Sequence, residues 1–282
     1  MAKDSPINSP FRYAGGKFYA RKHILKHIPI HDYYIEPFAG GASIFFAKPI
    51  AKHNIINDLD KELMNVYYFL RTFPNELIQF LSEFPASREL HNYFKNEFIP
   101  RNDLERAGRW YYLNRTSFSG IMNMKNCYWG YGDKFSMRPQ NWPRNILRSS
   151  EKLSSVVLSC LDFETIINNA PDNSFLFVDP PYYKADQDKF YSCIFSNEDH
   201  DRLLHTLYSN RNRLAFLLTY DNTEHIRQMY YWSNEMLDRE WNYCISRTDD
   251  QKHGSQRVGN RYKGKEVFIL NYEPSAIALS IP

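Results

Sequence analysis

Asp179-Pro180-Pro181-Tyr182 sets a carboxylate, two stiff imide carbonyls and a flat ring side by side. Proline fixes φ and has no N–H, so its backbone can only accept hydrogen bonds. Acceptors next to a π face suit a planar heterocycle that bears an exocyclic NH2 group. A plain strand-ending turn would use the same residue types. Three other stretches carry comparable chemistry. Phe11-Arg12-Tyr13-Ala14-Gly15-Gly16-Lys17 combines a Gly-Gly step, which lets backbone approach a ligand closely, with a cation. Glu36-Pro37-Phe38-Ala39-Gly40-Gly41-Ala42-Ser43 offers an acid, an aromatic and a glycine turn, and Asn57-Asp58 adds a further acid. Asp162-Phe163 pairs a carboxylate for an adenine amino group with a ring for its face; Asp162 can also cap the helix that follows.

Each of these groups stands at the end of an apolar run that reads as a strand. Runs at 32–36, 54–58, 156–160, 174–178 and 214–220 alternate with helical patterns such as 19–27, 44–47, 60–84, 198–208 and 223–230. Strand–helix alternation predicts a parallel α/β sheet, whose ligands bind beyond the carboxyl ends of the strands. Strand, glycine turn and helix at 32–47 form the geometry of a nucleotide-type cofactor site. Neither GxGxxG nor GxxxxGK[ST] occurs, so a phosphate cradle and a nicotinamide oxidoreductase are not indicated. An acid closing the second strand of such a unit takes ribose hydroxyls, which points to Asp58, with Asp60 free to cap the next helix. Runs at 235–246 and 266–272 can pair antiparallel at the end of the sheet.

After the helical pattern at 60–84 the rhythm breaks, to about residue 155. Arg88, Lys95, Arg101, Arg106, Arg109 and Arg115 are interleaved with aromatics, and 117–132 has the Gly, Asn and aromatic content of a hairpin or long loop. Basic and aromatic residues together suit a nucleic-acid surface, or a solvated helical face. A second basic crowd, which includes Arg247, Lys252, Arg257, Arg261, Lys263 and Lys265, is a candidate phosphate clamp. Residues 183–197 read as a lid. The whole chain of 282 residues is ordinary in its 43% hydrophobic and 24% charged content, and its net charge of +3 leaves any nucleic-acid contact to local patches. The aromatic share of 16% is high, enough for a core and for stacking on bases. Cys127, Cys160, Cys193 and Cys244 form no CxxC pair, so no metal is expected. No signal peptide opens the chain and no apolar run spans a bilayer, which fits a cytoplasmic protein with no membrane partner.

The segments 11–17, 36–43, 57–58 and 179–182, in this order, resemble the motifs of the Dam-type (D12 class) DNA adenine N6-methyltransferases. Asn114-Arg115-Thr116-Ser117-Phe118-Ser119-Gly120 is similar to that family's approach to its DNA-reading hairpin, so the likeness spans nearly the whole chain. The resemblance implies a Rossmann-like methyltransferase sheet with an antiparallel last strand (residues 1–59 and 156–282). It implies an inserted, mostly helical target-recognition domain with a hairpin (60–155). It also implies S-adenosylmethionine as cofactor, bound by Tyr13, Lys17, Glu36, Phe38, Gly40, Asp58, Asp162, Phe163 and Asp179. Asp179, Pro180, Pro181 and Tyr182 would hold a flipped adenine. Arg12, Arg115, Asn123, Lys125, Arg257 and Arg261 would meet double-stranded DNA. A monomer is expected, with room for a cognate restriction endonuclease as partner. GATC-reading members carry Arg-Tyr-Asn where this chain has Ile121-Met122-Asn123-Met124-Lys125, so the likeness does not imply GATC as the site. Rival readings are an RNA adenine methyltransferase, which needs the same acidic bend, and a non-catalytic nucleic-acid-binding module.

Overall fold

The computed structural model describes residues 5–13, 15–132, 136–183, 194–242 and 263–273. Seven strands form one sheet: β1 (Tyr33–Glu36), β2 (His53–Asn57), β3 (Val156–Ser159), β4 (Phe175–Val178), β5 (Ala215–Asp221), β6 (Glu235–Asn242) and β7 (Lys263–Leu270). Their spatial order is β3-β2-β1-β4-β5-β7-β6. β1 to β5 run parallel, while β7 lies antiparallel between β5 and β6. Strand order reverses between β1 and β4, and a crevice opens at such a switch point beyond the carboxyl ends. Glu36 closes β1 there and Asp179 follows β4.

Ten helices accompany the sheet among the described residues: α1 (Arg21–Leu25), α2 (Ser43–Ala47), α3 (Lys61–Thr72), α4 (Pro74–Ser82), α5 (Arg88–Asn96), α6 (Asp103–Thr116), α7 (Trp142–Leu153), α8 (Phe163–Asn168), α9 (Asn197–Asn210) and α10 (Glu224–Met229). Asp60 caps α3 by accepting from the backbone N–H of Glu62 and Leu63, as its residue type predicts. The single helix expected over 60–84 is two. Phe73 leaves helical φ/ψ, and Pro74, which has no N–H to give the preceding turn, starts α4. The last strand begins three residues before the expected 266 and ends at Leu270.

Side chains along the central strands alternate between two buried clusters. Tyr34, Ile56, Phe175, Phe177 and Leu217 meet residues of α1 to α7 on one face. Ile35, Leu176, Val178, Leu218 and Tyr220 meet α8, α9 and α10 on the other. β4 is buried on both faces, which is why it reads as an unbroken apolar run. The passage from β2 to β3 goes through α3 to α7, and these helices share their cluster with the sheet. α3 packs on β3 and on α7, so the excursion leaves from and returns to the layer beside the sheet. In place of a hairpin ladder, 117–130 closes on one antiparallel bridge, Ser117 with Trp129. Phe118 N donates to Tyr128 O at 2.8 Å and Gly130 N to Thr116 O at 2.9 Å. No helix among the described residues is long and apolar enough to cross a membrane.

Candidate active site

Strand β4 stops because Pro180 and Pro181 cannot extend a ladder, which leaves Asp179 at the sheet's carboxyl edge. Val178 sits opposite Leu218 in the β4–β5 register, so the next pair brings Asp179 beside Thr219. The Thr219 hydroxyl donates to Asp179 Oδ1 at 2.6 Å. The Lys17 ammonium reaches the same oxygen at 2.7 Å and also donates to Gly15 O at 2.9 Å. Lys17 Nζ stands 4.9 Å from the centroid of the Tyr182 ring. Lys17 is buried, while the Asp179 side chain keeps 19% exposure. Asp179 Oδ2 has no partner among the described residues. Beyond the bend, Tyr183 N donates to Asp221 Oδ1 at 3.2 Å, and the Tyr183 ring packs against His200 and His225. That fastens the backbone following the two prolines.

A second corner is built on β1 and β2. Glu36 Oε1 accepts from Tyr34 OH at 2.6 Å and from Phe45 N at 2.8 Å. Burial pushes the Glu36 carboxyl up to about 8 despite these two donors. Gly40 has φ +46°, and a Cβ there would lie 2.7 Å from Tyr13 Cε1, so glycine is required where the Tyr13 ring covers the turn. Asp58 Oδ2 accepts from Gly40 N at 2.8 Å and its Oδ1 from Asp60 N at 3.0 Å. Burial raises its carboxyl to about 6. Asn57, fully buried, joins three strand ends. Its amide donates to Pro37 O and Leu161 O, both at 2.9 Å, and its Oδ1 accepts from Ser159 OH and Leu161 N.

The third corner is the start of α8. Asp162 Oδ1 accepts from Glu164 N at 3.0 Å, so the capping role is realised. Arg202 Nη2 reaches that same oxygen at 2.8 Å and also pairs with Glu164, while Nη1 pairs with Asp199. The Arg202 guanidinium covers the Phe163 ring at 4.9 Å, and Phe38 faces Phe163 with centroids 5.3 Å apart. All three corners line one cavity of about 300 Å3, which contains Tyr13, Lys17, Glu36, Phe38, Gly40, Asp58, Asp162, Phe163, Asp179, Pro180, Pro181 and Tyr182. Every residue expected at the cofactor and acceptor positions is thus brought together. Ile194 and Phe195, the end of the expected lid, also line it; residues 184–193 lie outside the described residues.

Sequence reasoning missed Thr219, Arg202 and the bracing by Asn57. A lone hydroxyl inside the apolar run 214–220 was a signal for the first. Arg202 shows no such pattern, because its partners come from two other segments.

The expected DNA contacts are divided. Arg12 and Arg115 sit where the segment before Tyr13 crosses the end of α6. Asn114 clasps the Arg12 backbone, accepting from its N at 3.0 Å and donating to its O at 2.7 Å. Gly120 has φ +70°, and a Cβ there would fall 2.2 Å from Arg12 O. The Arg12 guanidinium donates to Ser117 O, and burial, then the nearby Arg115, pulls it below the ordinary arginine range. Arg115 is only 5% exposed and donates to Pro10 O. The resemblance implies a DNA contact for Arg115, but its side chain is buried as an internal strut, because α6 turns this side into the core. Lys125 and Met124 are exposed at the tip of the 121–128 turn, where Asn123 Oδ1 accepts from Lys125 N. Arg257 and Arg261, with most of the second basic crowd, lie outside the described residues.

The family model described as D12 class N6 adenine-specific DNA methyltransferase matches residues 13–245. A type II methyltransferase, M1.LlaDCHI of Lactococcus lactis subsp. cremoris, is 25% identical over 93% of this chain and 95% of its own. The type II methyltransferase M.CviBI of Paramecium bursaria Chlorella virus NC1A is 28% identical over 93% of this chain and 98% of its own. A DNA adenine methylase of Escherichia coli strain K12 is 24% identical over 95% and 96% respectively.

Proposed function

Because the chain belongs to the D12 class of N6 adenine-specific DNA methyltransferases, we propose that its Asp179 corner holds the target adenine and that the adjoining cavity holds S-adenosylmethionine. The protein is a DNA adenine methyltransferase. One observation carries the proposal: Asp179 and the glycine and aromatic corners open into a single cavity.

The lining suits the donor's chemistry. Phe38 and Phe163 form an aromatic wall of the cavity suited to a purine, and Asp162 stands beside them for its amino group. Asp58 keeps lone pairs for ribose hydroxyls after its two backbone contacts. Glu36 and Asp179 place carboxyl groups near a cationic ligand, and the cation among the expected pocket residues, Lys17, is already engaged. A phosphate-bearing cofactor would find acids where it needs donors. When bound, S-adenosylmethionine supplies an electrophilic methyl on a sulfonium.

The chain's own residues prepare the acceptor. An adenine amino nitrogen is a poor nucleophile because its lone pair is delocalised into the ring. Asp179 and the Pro180 carbonyl accept its N–H bonds, which favours a pyramidal nitrogen and localises the lone pair. The carboxylate also offsets the positive charge that grows on nitrogen, the kind of preorganised electrostatic effect that is often the largest in catalysis. Tyr182 stacks on the base, offsetting part of the few kcal/mol needed to take it from the duplex. The proton leaves after transfer, so Asp179 need not act as a base beforehand. Residues 60–155 are the proposed target-recognition region, with Asn123 and Lys125 at the tip of its 121–128 turn. A cognate endonuclease remains part of the proposal on the type II names of two relatives.

Asp179→Ala is expected to reduce tritiated methyl transfer to duplex DNA by about 100-fold or more while DNA affinity persists. Turnover retained at the parent rate rejects the assignment.

A further inference from the structure

We infer that Thr219 is a positioning residue for methyl transfer: its hydroxyl locks the Asp179 carboxylate so that one oxygen is held by the protein and the other is left for the target amine. The inference rests on the reading of Asp179 as the amine acceptor.

Thr219 is fully buried, and it is the one hydroxyl-bearing aliphatic side chain in the buried run Phe216 to Tyr220 of β5. A buried hydroxyl without a partner is costly, so its presence in an apolar strand calls for a fixed acceptor. Two acceptors lie near, Asp179 Oδ1 at 2.6 Å and Val178 O at 3.5 Å. A hydroxyl has one proton to give, and the short contact to a carboxylate takes it. Thr219 is a rigid donor. Its Cβ is branched, its backbone lies in β5 between β4 and β7, and Phe268 of β7 pairs opposite it.

Both contacts to Asp179, from Thr219 and from Lys17, fall on Oδ1. A carboxylate held at one oxygen by two donors from different elements cannot rotate freely about its Cβ–Cγ bond. Lys17 reaches it from the segment before α1 on a long flexible stem, whereas Thr219 reaches it from the adjacent strand. The strand donor therefore sets the plane of the carboxylate, and the lysine can yield or shift when a base arrives. Oδ2 is then presented in a constant orientation. An amine acceptor misoriented by a rotation of the carboxylate would lose alignment with the reacting nitrogen, not affinity for DNA or donor.

The test is a comparison of Thr219→Val, Thr219→Ser and Asp179→Asn in the full chain. Single-turnover methyl transfer is measured at saturating donor and duplex, together with the Kd of each. Valine keeps the shape and removes the O–H. A charged hydrogen bond is worth about 1.5–3 kcal/mol, so the rate should fall roughly 10- to 100-fold with both Kd values within about 2-fold of the parent. Serine restores the donor and should bring the rate back to within about 5-fold. Should valine prevent folding, Thr219→Ala removes the same hydroxyl and must give the same loss of rate. If valine transfers at the parent rate while Asp179→Asn is inactive, the inference fails and the role of Asp179 stands. If Asp179→Asn is as active as the parent, the acceptor reading fails and takes the inference with it. A serine variant as slow as valine, or a loss confined to donor or DNA affinity, overturns the positioning role.

Discussion

Glu36 holds a proton that an exposed glutamate would surrender. Burial raises it from an ordinary 4.5 to about 8, with Tyr34 and Phe45 donating to its Oε1. Across that window the folded state binds more protons than the unfolded state, so the contribution of this residue to stability is complete at low pH and is lost as pH rises toward 8. Lys48, lowered by burial to about 7, works with the opposite sign above pH 7, and His31 and His200, lowered by burial to about 4, do so up to the ordinary histidine range, so the contribution of Glu36 is read as the difference between parent and variant between pH 5 and 7. Over that interval thermal unfolding should show the parent losing stability relative to Glu36→Gln, the difference amounting to roughly 1–3 kcal/mol. Equal slopes in the two proteins would assign the proton elsewhere. At this scale sequence is a good guide to acids that end strands, since position in the chain fixes them: Asp58, Asp162 and Asp179 all lie where the apolar runs stop. Side chains whose neighbours come from a different segment were hidden. Arg115 has the composition of a surface cation and is buried, and Thr219 acquires its meaning only once β4 and β5 are set side by side.

Asn57 shows what an element end can do. Its amide binds the turn after β1 and the turn after β3, and both turns carry residues of the cavity, Phe38 and Gly40 on one side and Asp162 and Phe163 on the other. Asn57→Ala would leave the Pro37 and Leu161 carbonyls without this donor, and should cost about 2–4 kcal/mol of stability. Because two cavity walls would loosen together, donor affinity measured by calorimetry should fall about 10-fold or more, whereas DNA affinity should not change. Donor affinity equal to the parent would mean that each turn holds its shape alone. Strand positions were legible because period-2 and continuous apolar runs are strong signals, and the antiparallel pair at the end of the sheet followed from two adjacent runs. The break at Phe73-Pro74 was overlooked, although proline marks it, because apolar spacing continues across it. The hairpin expected in 117–132 was read from composition, which reports turns but not how long a ladder joins them.

The helical excursion and the sheet share a buried cluster, in which Trp110, Phe94 and Trp142 are continuous with Ile56, Phe175 and Leu217. A unit with no core of its own should not melt separately. Tryptophan emission is suited to this question, since Trp110, Trp129 and Trp142 lie in the excursion and Trp232 and Trp241 outside it. Its midpoint in urea should coincide with that of far-UV circular dichroism. Two separated transitions would show that 60–155 is a domain in the thermodynamic sense. The bounds 60–155 are expected from where the strand rhythm stops and resumes, whereas dependence on the sheet is not legible there, since packing partners leave no mark on spacing. Strand β7 has a consequence for biosynthesis. Among the described residues it is the last strand in chain order, yet it is seated inside the sheet, bonded to β5 on one side and to β6 on the other. A chain that has been made only through β6 therefore carries two unsatisfied edges, and the gap between them closes only once β7 has followed.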